Sequence, residues 1–276
     1  MPTGADTRTE ADPAARGWYL YGITRPAPLA ALAVTDDAAA LQLLDCSELT
    51  AVVRPVLLAD FSPAVLRQRL QSASELEEIV RSHNRVIEAI HARQAILPAK
   101  FGSVYARTED IVSALRSARD TLLPQLRRLE GCDEWAVHLY AHGPVVQERI
   151  ATKDSSVQRL RDERAAARPG RAYFLEQQLH HAVKAATEEA LVTLAQRAFD
   201  RLKGYAVAGQ VNRIGPRDGT DDVEILRAAF LVARDGAERF RQEVRSSADP
   251  SAGLRCEYSG PWPPYSFAAR DDEEAR

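Results

Sequence analysis

Histidine, cysteine and clustered carboxylates are the side chains that could ligate a metal or run acid–base chemistry, and this sequence spaces them poorly for either. His138 and His142 share strand parity, so both can project from one face. A metal there needs a third ligand that the sequence does not name, and His142 precedes Gly143-Pro144, where a strand should end; an ordinary half-exposed pair is expected. His180 and His181 are adjacent on a helical stretch and diverge by about 100°, which prevents easy chelation of one ion. His83 lies on an apolar helical stripe with no nucleophile or acid partner in view, so the expectation is a core histidine bonded to a neighbouring backbone carbonyl rather than a catalytic base. The turn Arg217-Asp218-Gly219-Thr220-Asp221-Asp222 lacks the alternating oxygen ligands and terminal Glu of a calcium loop and reads as a solvated hairpin turn. Cys46, Cys132 and Cys256 are odd in number and far apart, which fits reduced thiols. Phosphate loop, dinucleotide glycine fingerprint and nucleophile elbow are missing. No catalytic, cofactor-binding or metal-binding residues are therefore assigned.

Charge and composition narrow the partners. The chain is 45% hydrophobic and 27% charged with a formal net charge of -3, a globular balance without bulk attraction to nucleic acid or to an anionic lipid membrane. Arg159, Arg161, Arg164, Arg168 and Arg171 form the densest basic cluster, but Asp162 and Glu163 sit inside it and no aromatic interleaves it before Tyr173. A solvated helix face is the expectation there, not a nucleic-acid contact. Met1 to Arg16 is polar and mixed in charge, with no apolar stretch of a signal peptide, and no apolar run approaches a bilayer span. A cytoplasmic location is expected.

The elements that would carry these residues fall into two domains. Residues 1–16 are expected as a disordered tail and 17–131 as an N-terminal α+β domain. Residues 132–259 are expected as a second α+β domain with a helical insertion, and 260–276 as a C-terminal tail. In the first domain, Gly17 to Ile23 reads as an aromatic strand, followed by strands near Leu41 to Leu44 and Ala51 to Val56 with a turn at Ser47. Ser62-Pro63 opens a helical stretch, and Ser74 with Glu77 has capping-box spacing for a helix running to about Gln94. Ile96 to Tyr105 reads as a strand bent or edged by Pro98. Thr108 should cap the next helix, Pro124 should kink or restart it, and Gly131 should end it. The second domain reads strand (Glu134 to Ala141), charged stretch, long helix, strand (Tyr205 to Val211), strand (Val223 to Ala233), helix (Gly236 to Ser247), strand (Leu254 to Tyr258). That order is β-α-β-β-α-β, a modified ferredoxin-like pattern with extra helix before its second strand.

Gly260-Pro261-Trp262-Pro263-Pro264-Tyr265-Ser266-Phe267 packs three prolines and three aromatics into one stiff strip. It reads as a latch laid across the molecule, with a ligand-like strip offered to a partner as the alternative.

This tail, Leu97-Pro98-Ala99-Lys100-Phe101-Gly102 with Val104, and the opening Trp18-Tyr19-Leu20-Tyr21-Gly22-Ile23 resemble signatures of the gas vesicle protein GvpF/GvpL family. Gly170 to Phe174 and Ala228 to Val232 resemble further blocks, His83 stands where the family often has a histidine, and Lys100 departs from a more usual arginine. The resemblance spans about Trp18 to Phe267. It marks Tyr21, Gly22, His83, Leu97, Pro98, Phe101, Gly102 and Gly260 to Tyr265 with Phe267 as partner-contact or latch candidates. It implies a two-domain α+β protein with a modified ferredoxin fold in the second domain. It also implies a non-enzymatic role in gas vesicle assembly, without cofactor, through the shell protein GvpA and other accessory Gvp proteins. The competing reading is a small-molecule-binding or enzymatic α+β protein with an unrecognised site.

Overall fold

The computed structural model describes residues 15–28, 41–62, 65, 67, 72–215 and 221–268. Residues 1–14 of the expected tail, the start of the helical stretch at Pro63, most of the acidic turn and the acidic C-terminal end lie outside the described residues, and Arg16, expected in the tail, is already in the first strand. The chain divides into two compact units: the part up to Cys132 together with the segment from Pro263, and Asp133–Trp262.

In the first unit, strand β1 (Arg16–Thr24) is central. It pairs antiparallel with β3 (Leu49–Leu57) on one side and with β4 (Ile96–Pro98) and β5 (Val104–Tyr105) on the other, while β2 (Gln42–Cys46) pairs with β3. The β2–β3 hairpin turns through Ser47, whose φ of 57° is left-handed, and Thr50 Oγ1 ties it by donating to Asp45 Oδ1 at 2.5 Å. Helix α1 (Ala73–His91) lays its apolar stripe on this sheet. Ile87, Ile90 and Ile96 are fully buried with Tyr21 and Val52 in one cluster. Helices α2 (Thr108–Ser117) and α3 (Arg119–Leu129) complete the unit, burying Ile111, Leu115, Leu122 and Leu126.

The helix ends differ from the sequence expectation by a few residues. The cap of α1 is Ser72, which accepts from Glu75 N at 3.5 Å, so the Ser-x-x-Glu pair used is two residues before Ser74. Arg107 occupies the cap of α2 without a side-chain bond, and Thr108 is already helical. The break between α2 and α3 falls at Ala118, and Pro124 sits inside α3 at its sixth position. Gly131 ends the helix as expected, with φ 68°.

The second unit holds β6 (Cys132–His142), α4 (Gly143–Lys153), α5 (Ser155–Ala166), α6 (Pro169–Lys203), β7 (Ala208–Val211), β8 (Asp222–Ala233), α7 (Ala237–Ser246) and β9 (Leu254–Trp262). Its strand order is β7-β8-β6-β9. Trp135, Val137 and Leu139 of β6 face a core with Leu202, Phe230 and Phe240, where the Phe240 ring lies 6.4 Å from Trp135 and 5.4 Å from Phe230. The charged stretch after β6 is helical: Asp154 caps α5 by accepting from Ser156 N and Val157 N. Strand β7 is shorter than the sequence implies, and β9 runs four residues past Tyr258. The extension pairs Trp262 with Glu134 across an irregularity in the ladder. Gly260 is required there, because its φ is 139° and a Cβ would lie 2.8 Å from Glu134 O. No helix among the described residues is long and apolar enough to cross a membrane.

Candidate functional site

The signature segments of the first unit meet around Tyr19 and His83. Tyr19 and Tyr21 of β1 meet edge-on at 5.0 Å in one core cluster, across an irregularity in the β1–β3 ladder, and helix α1 brings His83 over them. The His83 ring stacks on Tyr21 (centroids 5.6 Å, 18° between planes) and meets Phe101 edge-on at 5.6 Å. Between β4 and β5 the chain bulges through Ala99 to Ser103. Gly102, at φ 81°, takes the left-handed conformation this needs and donates its N–H to Tyr19 Oη at 3.3 Å. Tyr19 Oη lies 2.9 Å from His83 Nδ1. Tyr19 Oη accepts from Gly102 and still has both its proton and a second lone pair to offer Nδ1; with His83 in the Nε2–H form, Tyr19 is the donor to Nδ1. The expected backbone-carbonyl partner of His83 is thus a tyrosine hydroxyl.

Burial sets both titrations. It pushes the Tyr19 hydroxyl up to about 12, against a smaller lowering by the Gly102 N–H, and holds His83 down at about 4. At neutral pH the pair is uncharged, a relay that positions side chains. The unfolded chain binds a proton near pH 6.5 that the folded chain refuses until about pH 4. This contribution to stability is therefore complete above pH 6.5, declines as pH falls towards 4 and is gone below. The difference corresponds to roughly 3 kcal/mol. His83→Asn keeps an acceptor near the Nδ1 position and removes the titration. Urea midpoints at pH 7 and at pH 4.5 should fall further for the wild type than for this variant; equal falls would contradict the assignment.

Beside the relay lies an open cleft of about 630 Å³. His83 and Asn84 of α1, Leu97, Pro98 and Phe101 after α1, and the apolar face of α2 line it, and Tyr265 forms part of its rim. Phe101 is 41% exposed within it. The tail reaches this unit directly after β9. Pro263 and Pro264 are buried, Tyr265 packs against the cluster of Tyr19, Tyr21 and Ile87, and its hydroxyl donates to Asn84 Oδ1 at 3.1 Å. Phe267 is half-buried in the closing turn, its N–H on Pro264 O.

The structure therefore brings together Tyr21, His83, Leu97, Pro98, Phe101, Gly102 and Tyr265. Gly22 lies beneath them, its missing Cβ leaving room for Leu97 O. Gly260, Pro261 and Trp262 belong instead to β9 of the second unit, where Trp262 Nε1 donates to Ser259 Oγ. Tyr19 and Asn84 were not singled out in sequence; the parity shared with Tyr21 was the available signal for Tyr19.

Two of the other histidines pair with carboxylates: His138 Nδ1 with Glu224 at 2.6 Å and His142 Nδ1 with Asp222 at 3.1 Å, while the His180 and His181 rings lie edge-on to each other at 6.0 Å. Among the described residues no group of three His, Cys, Asp or Glu is placed to hold a metal ion. The family model for gas vesicle synthesis protein GvpL/GvpF matches residues 17–269. The chain belongs to the GvpL/GvpF family. Gas vesicle protein L of Streptomyces sp. (strain CB03234) is 32% identical over 93% of this chain and 94% of its own length. Gas vesicle protein F of the same strain is 25% identical over 90% and 98%. The crystal structure of gas vesicle protein GvpF from Anabaena sp. PCC7120 superposes with a TM-score of 0.70 at 22% identity, covering 92% of this chain and 99% of that one. The resemblance carried by the opening strand, the Leu97 to Gly102 segment and the tail is borne out, as is the α+β class, and the role of the chain is related to gas vesicles.

Proposed function

We propose that the chain is an accessory or minor structural protein that acts in gas vesicle assembly, holding apolar surface of the shell protein GvpA in the cleft beside His83 and contacting other accessory Gvp proteins. The observation that carries this is the open apolar cleft built from the GvpL/GvpF signature segments. Apolar walls with few polar groups suit an amphipathic helix laid in a groove. The role is non-catalytic and cytoplasmic, at the vesicle. The tail from Gly260 to Phe267 serves as a latch, and the strand order of the second unit, with its inserted helices, supports a modified ferredoxin-like domain (132–259) beside the N-terminal α+β domain (17–131).

An immunoblot on floated vesicles, before and after a urea wash that leaves the shell intact, tests the role. Persistence marks a wall component and loss marks peripheral attachment. Absence with co-purification of soluble shell protein marks an assembly factor, and absence from both fractions defeats the proposal. Phe101→Glu should weaken shell-protein capture by about tenfold without unfolding the chain. A second reading rests on the cleft volume, which is within the ~300–1,000 Å³ of small-molecule pockets. A ligand-dependent rise in melting temperature across a metabolite panel would favour it.

A further inference from the structure

The insertion between β6 and β7 exceeds what crossing the sheet requires. Helix α5 and the first half of α6 pack on each other through few buried side chains: Val157 on α5, Leu175 and Val183 on α6. Near the N-terminal end of α6, Tyr173 and Phe174 are 65% and 69% exposed, with rings edge-on at 5.9 Å. Neither belongs to the core cluster of the second unit. The charges around them are not alike. Arg164 is held by Glu176, and Arg159 donates to Ser155 O. Arg161, Arg168 and Arg171 are exposed and make no ion pair among the described residues.

Two adjacent aromatics this exposed form a sticky patch that a free surface rarely carries. Tyr and Arg are also the residues that concentrate binding energy at protein interfaces. The unneutralised guanidinium groups choose the partner's charge. We infer that the α5–α6 hairpin tip docks an acidic segment of a second gas vesicle protein, with its carboxylates on Arg161, Arg168 and Arg171 and its apolar side chains over Tyr173 and Phe174. This rests on the reading that the chain works by binding other gas vesicle proteins, and it adds a surface separate from the cleft. Nucleic acid fits less well, because Asp162 and Glu163 interrupt the arginines and Glu176 already neutralises Arg164, leaving a few separated cations for short acidic side chains rather than the continuous basic track a phosphate backbone needs.

The test uses the full chain and two double variants, Arg168→Glu with Arg171→Glu and Tyr173→Ser with Phe174→Ser. All four positions are exposed, so melting temperatures should match the wild type. Each protein is titrated against purified shell protein and against each accessory gas vesicle protein produced with it, at low and high salt. The expected result is one partner whose affinity drops about tenfold or more in both variants, with the salt dependence kept by the wild type and the aromatic variant and lost in the charge variant, and with no change on Phe101→Glu. Variants that bind every partner as the wild type does overturn the inference while leaving the proposed function standing. A wild type that binds none of these proteins removes the proposed function itself, and the inference with it. Tight salt-dependent binding of RNA or duplex DNA by the wild type, lost in the charge variant, would assign the tip to nucleic acid instead.

Discussion

Valine at position 22 should leave the first unit unfolded under conditions where the wild type is native. β1 is hemmed in on both sides, by β3 and by β4, and at Gly22 the β4 strand passes unusually close. A Cβ there would lie 2.7 Å from Leu97 O and 2.8 Å from Ile96 Cδ1, and Ile96 is itself fully buried. Backbone cannot rotate away as a surface side chain can, so β4 must leave the sheet or β1 must shift against β3. Either loses ladder bonds together with the packing of Ile96. The cost should exceed about 4 kcal/mol, a large part of the total stability of an ordinary domain. Gly22→Ala should show the same effect at about half the size. Urea unfolding followed by far-ultraviolet circular dichroism measures both. A valine variant within about 1 kcal/mol of the wild type would mean that the strand crossing is looser than described.

The close crossing at Gly22 was visible in the sequence only as one glycine in an aromatic strand, and that pattern holds for the whole site. Period-two alternation located β6, aromatic composition between glycine and proline located β1, and period-three-to-four stripes located α1 and α6, because those elements bury one face against a core. α5 buries Val157 almost alone, so in the sequence it leaves no stripe, only a charged stretch. Signals at helix ends failed differently. Ser72 and Ser74 both stand three residues before a Glu, and which becomes the cap depends on how far the sheet lets α1 extend, which is a tertiary choice. The break at Ala118 rather than Pro124 is of the same kind. Pro124, at the middle of α3, loses one intrahelical bond, whereas the buried positions of α2 and α3 dictate where the chain must turn.

The site itself was half legible. His83 belonged to an apolar stripe, and polarity on such a stripe demands a partner. The partner is Tyr19, 64 residues away, and nothing local in either segment names the other. Gly102 likewise reads as a turn glycine, while its use, giving an N–H to the Tyr19 hydroxyl, depends on β4 and β5 both lying along β1. Motifs scattered over the sequence thus converge because one central strand collects them.

Ending the chain after Trp262 should separate the two meanings of the tail. The truncation leaves β9 complete and removes only residues that belong to the first unit. Gone are buried Pro263 and Pro264, the Tyr265 ring against the Tyr19 and Ile87 cluster, the Tyr265–Asn84 hydrogen bond and half-buried Phe267. Burial on this scale contributes roughly 3–5 kcal/mol. The loss falls on α1, because Asn84 and His83 share the helical turn that Tyr265 covers. Hydrogen exchange resolved by peptide should therefore show amides of α1 and β1 losing protection while β6 and α7 keep theirs. That outcome makes the tail a latch, and it predicts that the cleft is wider and its capture of shell protein altered only through α1. Full protection with lost capture would make the strip the ligand instead. A truncated chain that stays fully protected and still captures shell protein would leave the tail with neither role, and would turn attention to the walls formed by Leu97, Phe101 and α2.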